Sequence, residues 1–135
     1  MSGSAKSTTT PSREAEGMLP IMNLKHTEWP TSLSHILNDP VVRQYVLLCP
    51  ILGWIVLLDV DRFMDAVHRR YHKAGKFQQF KDSMTQQWGW IYFGKRASNT
   101  CYFVHQMGFG RGGFEWENHP RPEVIRQVRA ERERV

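Results

Sequence analysis

A run of uncharged residues at positions 44–58 interrupts an otherwise polar chain of 135 residues. As an α-helix, these fifteen residues would extend roughly 22 Å, whereas the hydrocarbon core of a bilayer is about 30 Å thick. The difference closes if the helix covers residues 41–60 and Arg43 reaches one interface along its aliphatic stem. A buried helix of a soluble protein would need other apolar helices around it, and the remaining sequence does not supply them. The run therefore favours a transmembrane helix.

Composition narrows the class of function. The net charge of +5 at pH 7 favours an acidic protein, an anionic lipid surface or nucleic acid as partner. Two cysteines, Cys49 and Cys101, make neither a disulfide framework nor a four-ligand zinc set. Because no Ser, His and acid set and no paired catalytic carboxylates emerge, the sequence predicts a protein that is not an enzyme.

The expected fold is an all-α membrane protein in which one transmembrane helix, residues 41–60, continues into a membrane-proximal helix over residues 61–81. Residues 1–20 are predicted to be a disordered arm, and residues 21–40 a short amphipathic helix. Residues 82–135 are predicted to be a largely irregular extension rich in aromatic residues and glycine. Its WIYF and CYFV sequences predict short extended segments, and its charged end predicts a terminal helix.

Two local patterns suggest chemistry, and each also has a plainer interpretation. Asp65, His68 and His72 share one helical face and could offer metal ligands, but the basic residues beside them favour an interfacial polar face instead. The GFGRGG sequence at residues 108–113 could bring backbone amides and Arg111 to a phosphate. It lacks the Lys-Ser/Thr pair of a P-loop, so a turn is the favoured interpretation.

A set of spaced residues between positions 43 and 81 supports a resemblance to a known family. Arg43 precedes the apolar run, Asp61 and Asp65 follow it, and Gly75-Lys76 precedes a basic, aromatic helix end. In this arrangement the segment resembles the small single-span accessory subunit of the mitochondrial cytochrome bc1 complex, called subunit 9 in yeast. The likeness covers about forty of the 135 residues.

The resemblance implies a non-catalytic structural and assembly subunit of respiratory complex III, ubiquinol–cytochrome c reductase. It would be a single-pass protein of the mitochondrial inner membrane with its C-terminus in the intermembrane space. Its partners would be cytochrome c1, the Rieske iron–sulfur protein, other complex III subunits and membrane lipids, with no nucleic acid. Haem and iron–sulfur cluster would belong to those partners, and this chain would bind no cofactor directly beyond a phospholipid. The expected interface residues are Arg43, Gly53, Trp54, Asp61, Asp65, Gly75 and Lys76.

Two alternatives stay open at this point. An accessory subunit of another inner-membrane respiratory complex, or of ATP synthase, would have the same kind of span. A basic protein associated with the mitochondrial ribosome would instead use the FGKR sequence at residues 93–96 and the GFGRGG sequence to contact phosphates.

Overall fold

Four antiparallel strands form one sheet in the computed structural model, which describes residues 19–73, 75–95 and 98–134. Helices cover one side of this sheet. Most of the predicted N-terminal arm lies outside the described residues. In chain order the elements are α1 (Trp29–Ile36), α2 (Pro40–Arg43), β1 (Val46–Cys49), β2 (Trp54–Leu57), α3 (Val60–Tyr71), α4 (Phe77–Asp82), a π-helical turn (Ser83–Gln87), β3 (Trp90–Gly94), β4 (Cys101–His105), a 3-10 turn (Trp116–Asn118) and α5 (Pro122–Arg134).

The uncharged run forms a β-hairpin instead of a helix. Strands β1 and β2 pair in antiparallel register, and residues 50–53 make the turn between them. The N–H of Gly53 donates to the carbonyl of Cys49 across this turn, at 2.7 Å. Gly53 has a φ of +74°, a backbone conformation that glycine adopts without steric cost. The prediction of an all-α membrane fold is therefore wrong.

The membrane-spanning helix predicted for residues 41–60 is also wrong. Within the three described ranges, no helix is both long enough and apolar enough to cross a bilayer. Residues 41–60 instead provide most of α2, the hairpin and the first residue of α3. This finding contradicts a single-pass location in the inner membrane.

Several predicted helices and strands are present, although they begin and end at other residues than predicted. Helices form within residues 21–40, after Asp59 and at the charged C-terminal end. Helix α3 ends earlier than expected, because His72 adopts the left-handed conformation and its N–H donates to the carbonyl of His68. The WIYF and CYFV sequences form strands β3 and β4. Since these strands make half of the sheet, the prediction of a largely irregular C-terminal extension is wrong.

The sheet has the strand order β1-β2-β4-β3, so the two hairpins meet at the central β2–β4 pair. Alternate residues of each strand point toward the helices, as the two-residue period of a strand requires. These inward side chains are buried and form one core with the apolar sides of α1 to α4. The sheet contributes Val46, Ile55, Leu57, Trp90, Cys101 and Phe103, and the helices contribute Leu33, Ile36, Val42, Phe63, Met64, Val67 and Phe80 among others.

A buried carboxylate joins two of the helices. Asp39 caps α2 by accepting from the N–H of Val41, and its other oxygen accepts from Arg70 at 2.5 Å and from the hydroxyl of Tyr71 at 2.7 Å. Burial opposes ionisation of this group, but the hydrogen bonds from Arg70 and Tyr71 hold the pKa of Asp39 below its usual value. The carbonyl of Arg70 also accepts from the N–H of Ile21, so the N-terminal segment is tied to the same point.

We expect Asp39→Ala to lower the free energy of unfolding by about 3–5 kcal/mol, because it removes one partner of a buried ion pair. The matched control is Asp65→Ala, which breaks the exposed pair with Arg69 at 2.8 Å and should cost less than about 1 kcal/mol. Urea unfolding followed by circular dichroism measures both. Equal losses in the two variants would contradict the structural role of Asp39.

We also expect Gly53→Ala to destabilise the chain more than Gly108→Ala does. A Cβ at Gly53 would lie 3.1 Å from the backbone nitrogen of Arg111 and 3.2 Å from the carbonyl oxygen of Phe109. Gly108 has a similar φ of +81°, but a Cβ there would meet nothing within 4 Å. Backbone strain alone should cost roughly 1–2 kcal/mol in either variant, so an additional loss in Gly53→Ala reports the close contact. Thermal unfolding of both variants tests this, and equal losses would rule out the contact.

Candidate protein-interaction face

The side of the sheet turned away from the helices carries eight side chains, and none of them is charged. We call this side the outer face. Its members alternate along the strands with the buried residues of the core, as the register requires. They are Leu47, Cys49, Trp54, Val56, Ile91, Phe93, Tyr102 and Val104. The outer face is therefore apolar in all four strands.

Much of this surface is open to solvent. The side chains on the two edge strands are the most exposed, with Leu47 at 53%, Ile91 at 44% and Phe93 at 42%. Within the described part of the chain, the outer-face residues belong neither to the buried core nor to the side chains packed against it. A contiguous exposed apolar patch on a folded domain marks an interaction site.

Three aromatic rings cross the outer face as a stacked ladder. The Trp54 and Tyr102 rings lie 4.6 Å apart and nearly parallel, and the Tyr102 and Phe93 rings lie 5.0 Å apart and nearly parallel. Phe93 lies directly opposite Tyr102 across the β3–β4 pair, whereas Trp54 is the diagonal neighbour of Tyr102 on β2. The Tyr102 ring is therefore stacked between Trp54 and Phe93, which lie on the strands at either side of it.

Lys95 of the FGKR sequence and Arg111 of the GFGRGG sequence lie at the ends of the outer face, and Arg96 lies outside the described residues. Lys95 follows the last residue of β3, and Arg111 lies against Gly53 in the turn at the opposite end of the strands. The GFGRGG segment folds onto this turn, since the N–H of Gly112 donates to the carbonyl of Pro50 at 2.8 Å. The segment is thus held against the hairpin, in keeping with its interpretation as a turn.

Two buried histidines hold strands β3 and β4 from the inner side. The Nδ1 of His105 accepts from the N–H of Met107, so its Nε2 carries the proton and donates to the carbonyl of Trp88 at 2.7 Å. The Nε2 of His119 accepts from the indole N–H of Trp90 at 2.9 Å, so its Nδ1 donates to the carbonyl of Pro120. Burial lowers the pKa of each imidazole, and for His105 the nearby His119 adds to this effect, so that both pKa values lie at about 4.

These two histidines should make the chain lose stability in mild acid. The unfolded state binds protons from about pH 6.5 downward, while the folded state does so only near pH 4. The stabilisation is complete above pH 6.5 and is lost as the pH falls toward 4, by up to about 1.4 kcal/mol per pH unit for each histidine.

The variant His105→Gln tests this expectation, because its amide can still donate to Trp88 but does not titrate. We expect the slope of unfolding free energy against pH to fall by about half, whereas the exposed-site control His35→Gln should leave it unchanged. Urea unfolding between pH 4.5 and 7.5 gives these slopes. An unchanged slope in His105→Gln would contradict the buried neutral imidazole.

Of the seven interface residues predicted from the sequence, the structure places one on the outer face and one in the adjoining turn. Trp54 belongs to the aromatic ladder, and Gly53 forms the turn beside it. The other five lie on exposed positions of the helical layer. Arg43 ends α2, Asp61 and Asp65 lie on α3, and Gly75 and Lys76 lie between α3 and α4.

The metal pattern considered on α3 has other contacts. Asp65 pairs with Arg69, and the Nδ1 of His68 lies 3.1 Å from the carbonyl of Lys73. His72 takes the left-handed conformation at the end of the helix. In the part of the chain that the structure describes, no cluster of three or more His, Cys, Asp or Glu side chains is arranged to hold a metal ion.

Sequence reasoning did not identify the other seven members of the outer face. A signal for them exists, because every strand except β4 consists only of apolar residues and glycine, and β4 adds only its final histidine. Strands that read as continuous apolar runs are typical of sheets covered on both faces. Helices cover only the inner face of this sheet, so the apolar strands indicate that another surface covers the outer face.

Comparison with protein-family models, with curated proteins and with solved structures found no match to this chain.

Proposed function

We propose that this chain is a non-catalytic association module whose outer face docks onto an apolar protein surface. The observation that carries the proposal is a sheet face of eight side chains without one charge, exposed on a domain whose other sheet face is already packed. Removing such a surface from water is favourable by about 25 cal/mol for each Å² of apolar area. The function of this chain would therefore be to assemble with another protein through the outer face.

The chemistry of the face favours a protein over a nucleic acid. Single-stranded nucleic acids stack their bases on open aromatic faces and place phosphates on a basic groove. Here the faces of Tyr102 are covered by Trp54 and Phe93, and the other outer-face side chains are aliphatic apart from Cys49. Lys95 and Arg111 lie beyond its ends and form no groove across it. Aromatic and aliphatic side chains without charge are typical of the centre of a protein interface.

The expected role in complex III depended on a membrane span that the structure folds into two strands. That role, its partners and its phospholipid stay predictions without an observation in their favour. The general idea of a structural and assembly subunit agrees with the proposal, which rests on the outer face alone.

Ile91→Lys should release the chain from its complex in cells, because a lysine in the docked face would bury an unpaired charge. Ile91 is 44% exposed on an edge strand, so the substitution should leave the fold intact. The matched control is Val124→Lys, since Val124 is 43% exposed and lies on α5, away from the outer face. Each tagged variant is expressed in the source organism, its contacts are fixed with formaldehyde in intact cells so that a weak complex survives extraction, and its size is then measured on a gel.

We expect the unsubstituted chain and Val124→Lys to migrate in a complex larger than the monomer, and Ile91→Lys to migrate as a monomer. Circular dichroism of the purified variants verifies that all three are folded. A complex of unchanged size in the folded Ile91→Lys variant would overturn the proposal, and so would migration of the unsubstituted chain as a monomer. Loss of the complex after nuclease treatment would overturn it in favour of nucleic acid.

A further inference from the structure

We infer that the outer face binds the outer face of a second copy of this chain, giving a symmetric dimer. The inference rests on the proposed function and names its partner. Because the face carries no charge, its complement is another uncharged apolar face, and within the described residues the chain itself presents one. A two-fold symmetric dimer uses the same patch on both subunits.

The register gives the outer face an approximate two-fold symmetry of its own. Trp54 pairs with Val104 at one end of the central strands, and Val56 pairs with Tyr102 at the other end. A half-turn about the centre of the β2–β4 pair therefore exchanges Trp54 with Tyr102 and Val56 with Val104. An aromatic residue replaces an aromatic residue in this operation, and a valine replaces a valine.

The same half-turn relates the two edge strands. Leu47 of β1 lies beside Val56 of β2, and Ile91 of β3 lies beside Val104 of β4. The operation exchanges Leu47 with Ile91, which have equal volume and the same chemistry. It also exchanges Cys49 with Phe93, and this is the one pair of the eight residues that departs from the symmetry. The face consequently has an aliphatic patch at each of two opposite corners, one of Leu47 and Val56 and the other of Ile91 and Val104.

These two patches lie on either side of the aromatic ladder. The rings of Trp54, Tyr102 and Phe93 are longer side chains than valine, leucine and isoleucine and are held together by stacking, so we expect the ladder to form a ridge between two lower areas. A second copy laid face to face can set its ridge on an aliphatic patch and receive the ridge of the first copy on its own. The face is thus complementary to itself in shape as well as in polarity.

The size of the face sets the expected strength. Two strands of four residues and two of five cover roughly 19 Å by 15 Å, which is small beside the 800 Å² or so that each partner buries in a standard interface. Ile51 and Leu52, exposed at 86% and 45% in the adjoining turn, extend the apolar surface. We expect a dissociation constant on the order of 1–100 µM, at the weak end of specific interfaces.

Analytical ultracentrifugation of the purified full chain from 1 to 200 µM tests the inference. We expect a concentration-dependent change from one chain to two, with little effect of raising the salt concentration because the face is uncharged. Leu47→Lys and Ile91→Lys should each raise the dissociation constant by about tenfold or more, since both side chains lie in the same interface. Val124→Lys should leave the dissociation constant unchanged.

Cys49 provides a second measurement without any substitution. It lies half-buried in the outer face, whereas Cys101 is buried in the core. Alkylation of Cys49, located by mass spectrometry, should slow as the protein concentration rises through the dissociation constant. A dimer whose Cys49 reacts at the same rate as in the monomer would overturn the inference, because that dimer would use another surface.

The two proposals can fail separately. If the purified chain stays monomeric at 200 µM while Ile91→Lys still breaks the complex in cells, the dimer is overturned and the face docks onto a different protein. If the purified chain dimerises but neither lysine substitution on the outer face weakens the dimer, the inference is likewise overturned. If Ile91→Lys leaves the cellular complex intact, the proposed function falls, whatever the purified chain does.

Discussion

The turn at residues 50–53 is the constraint on which the rest of this structure depends. Gly53, with its left-handed backbone, reverses the chain inside the uncharged run and converts one apolar segment into two paired strands. The second of these strands is central in the sheet and pairs with β4. Without the reversal β1 and β2 would not pair, and both the inner and the outer face would lose half of their strands.

The same turn explains why the fold class was predicted wrongly. The length and lack of charge of a fifteen-residue run are compatible with a short bilayer span and with a hairpin of two four-residue strands. Pro50 and Gly53 fit a bend in a membrane helix, but both residues are also common in turns. Distinguishing the two requires the partner of β2, which is β4, and this pairing lies far away in the sequence.

Features that depend on local sequence were predicted well. The spacing of apolar residues identified α3, the charged end identified α5, and the WIYF and CYFV segments identified β3 and β4. Only Trp54 of the outer face was among the predicted interface residues, because the face is assembled by register across four strands. A sequence shows which residues alternate within a strand, but it does not show which strands lie side by side.

The packing behind the outer face prepares it for association. Trp90 and its buried histidine partners fix β3 and β4 from the inner side, while Trp54, Tyr102 and Phe93 hold one another in place on the outer side. Side chains that are already ordered lose little conformational entropy when a partner binds, so more of the burial energy appears as affinity. An ordered apolar face without charged residues to prevent self-association would be an aggregation hazard if nothing covered it. A second copy in a closed two-fold arrangement removes that hazard, because each face then covers the other and none is left to bind further chains.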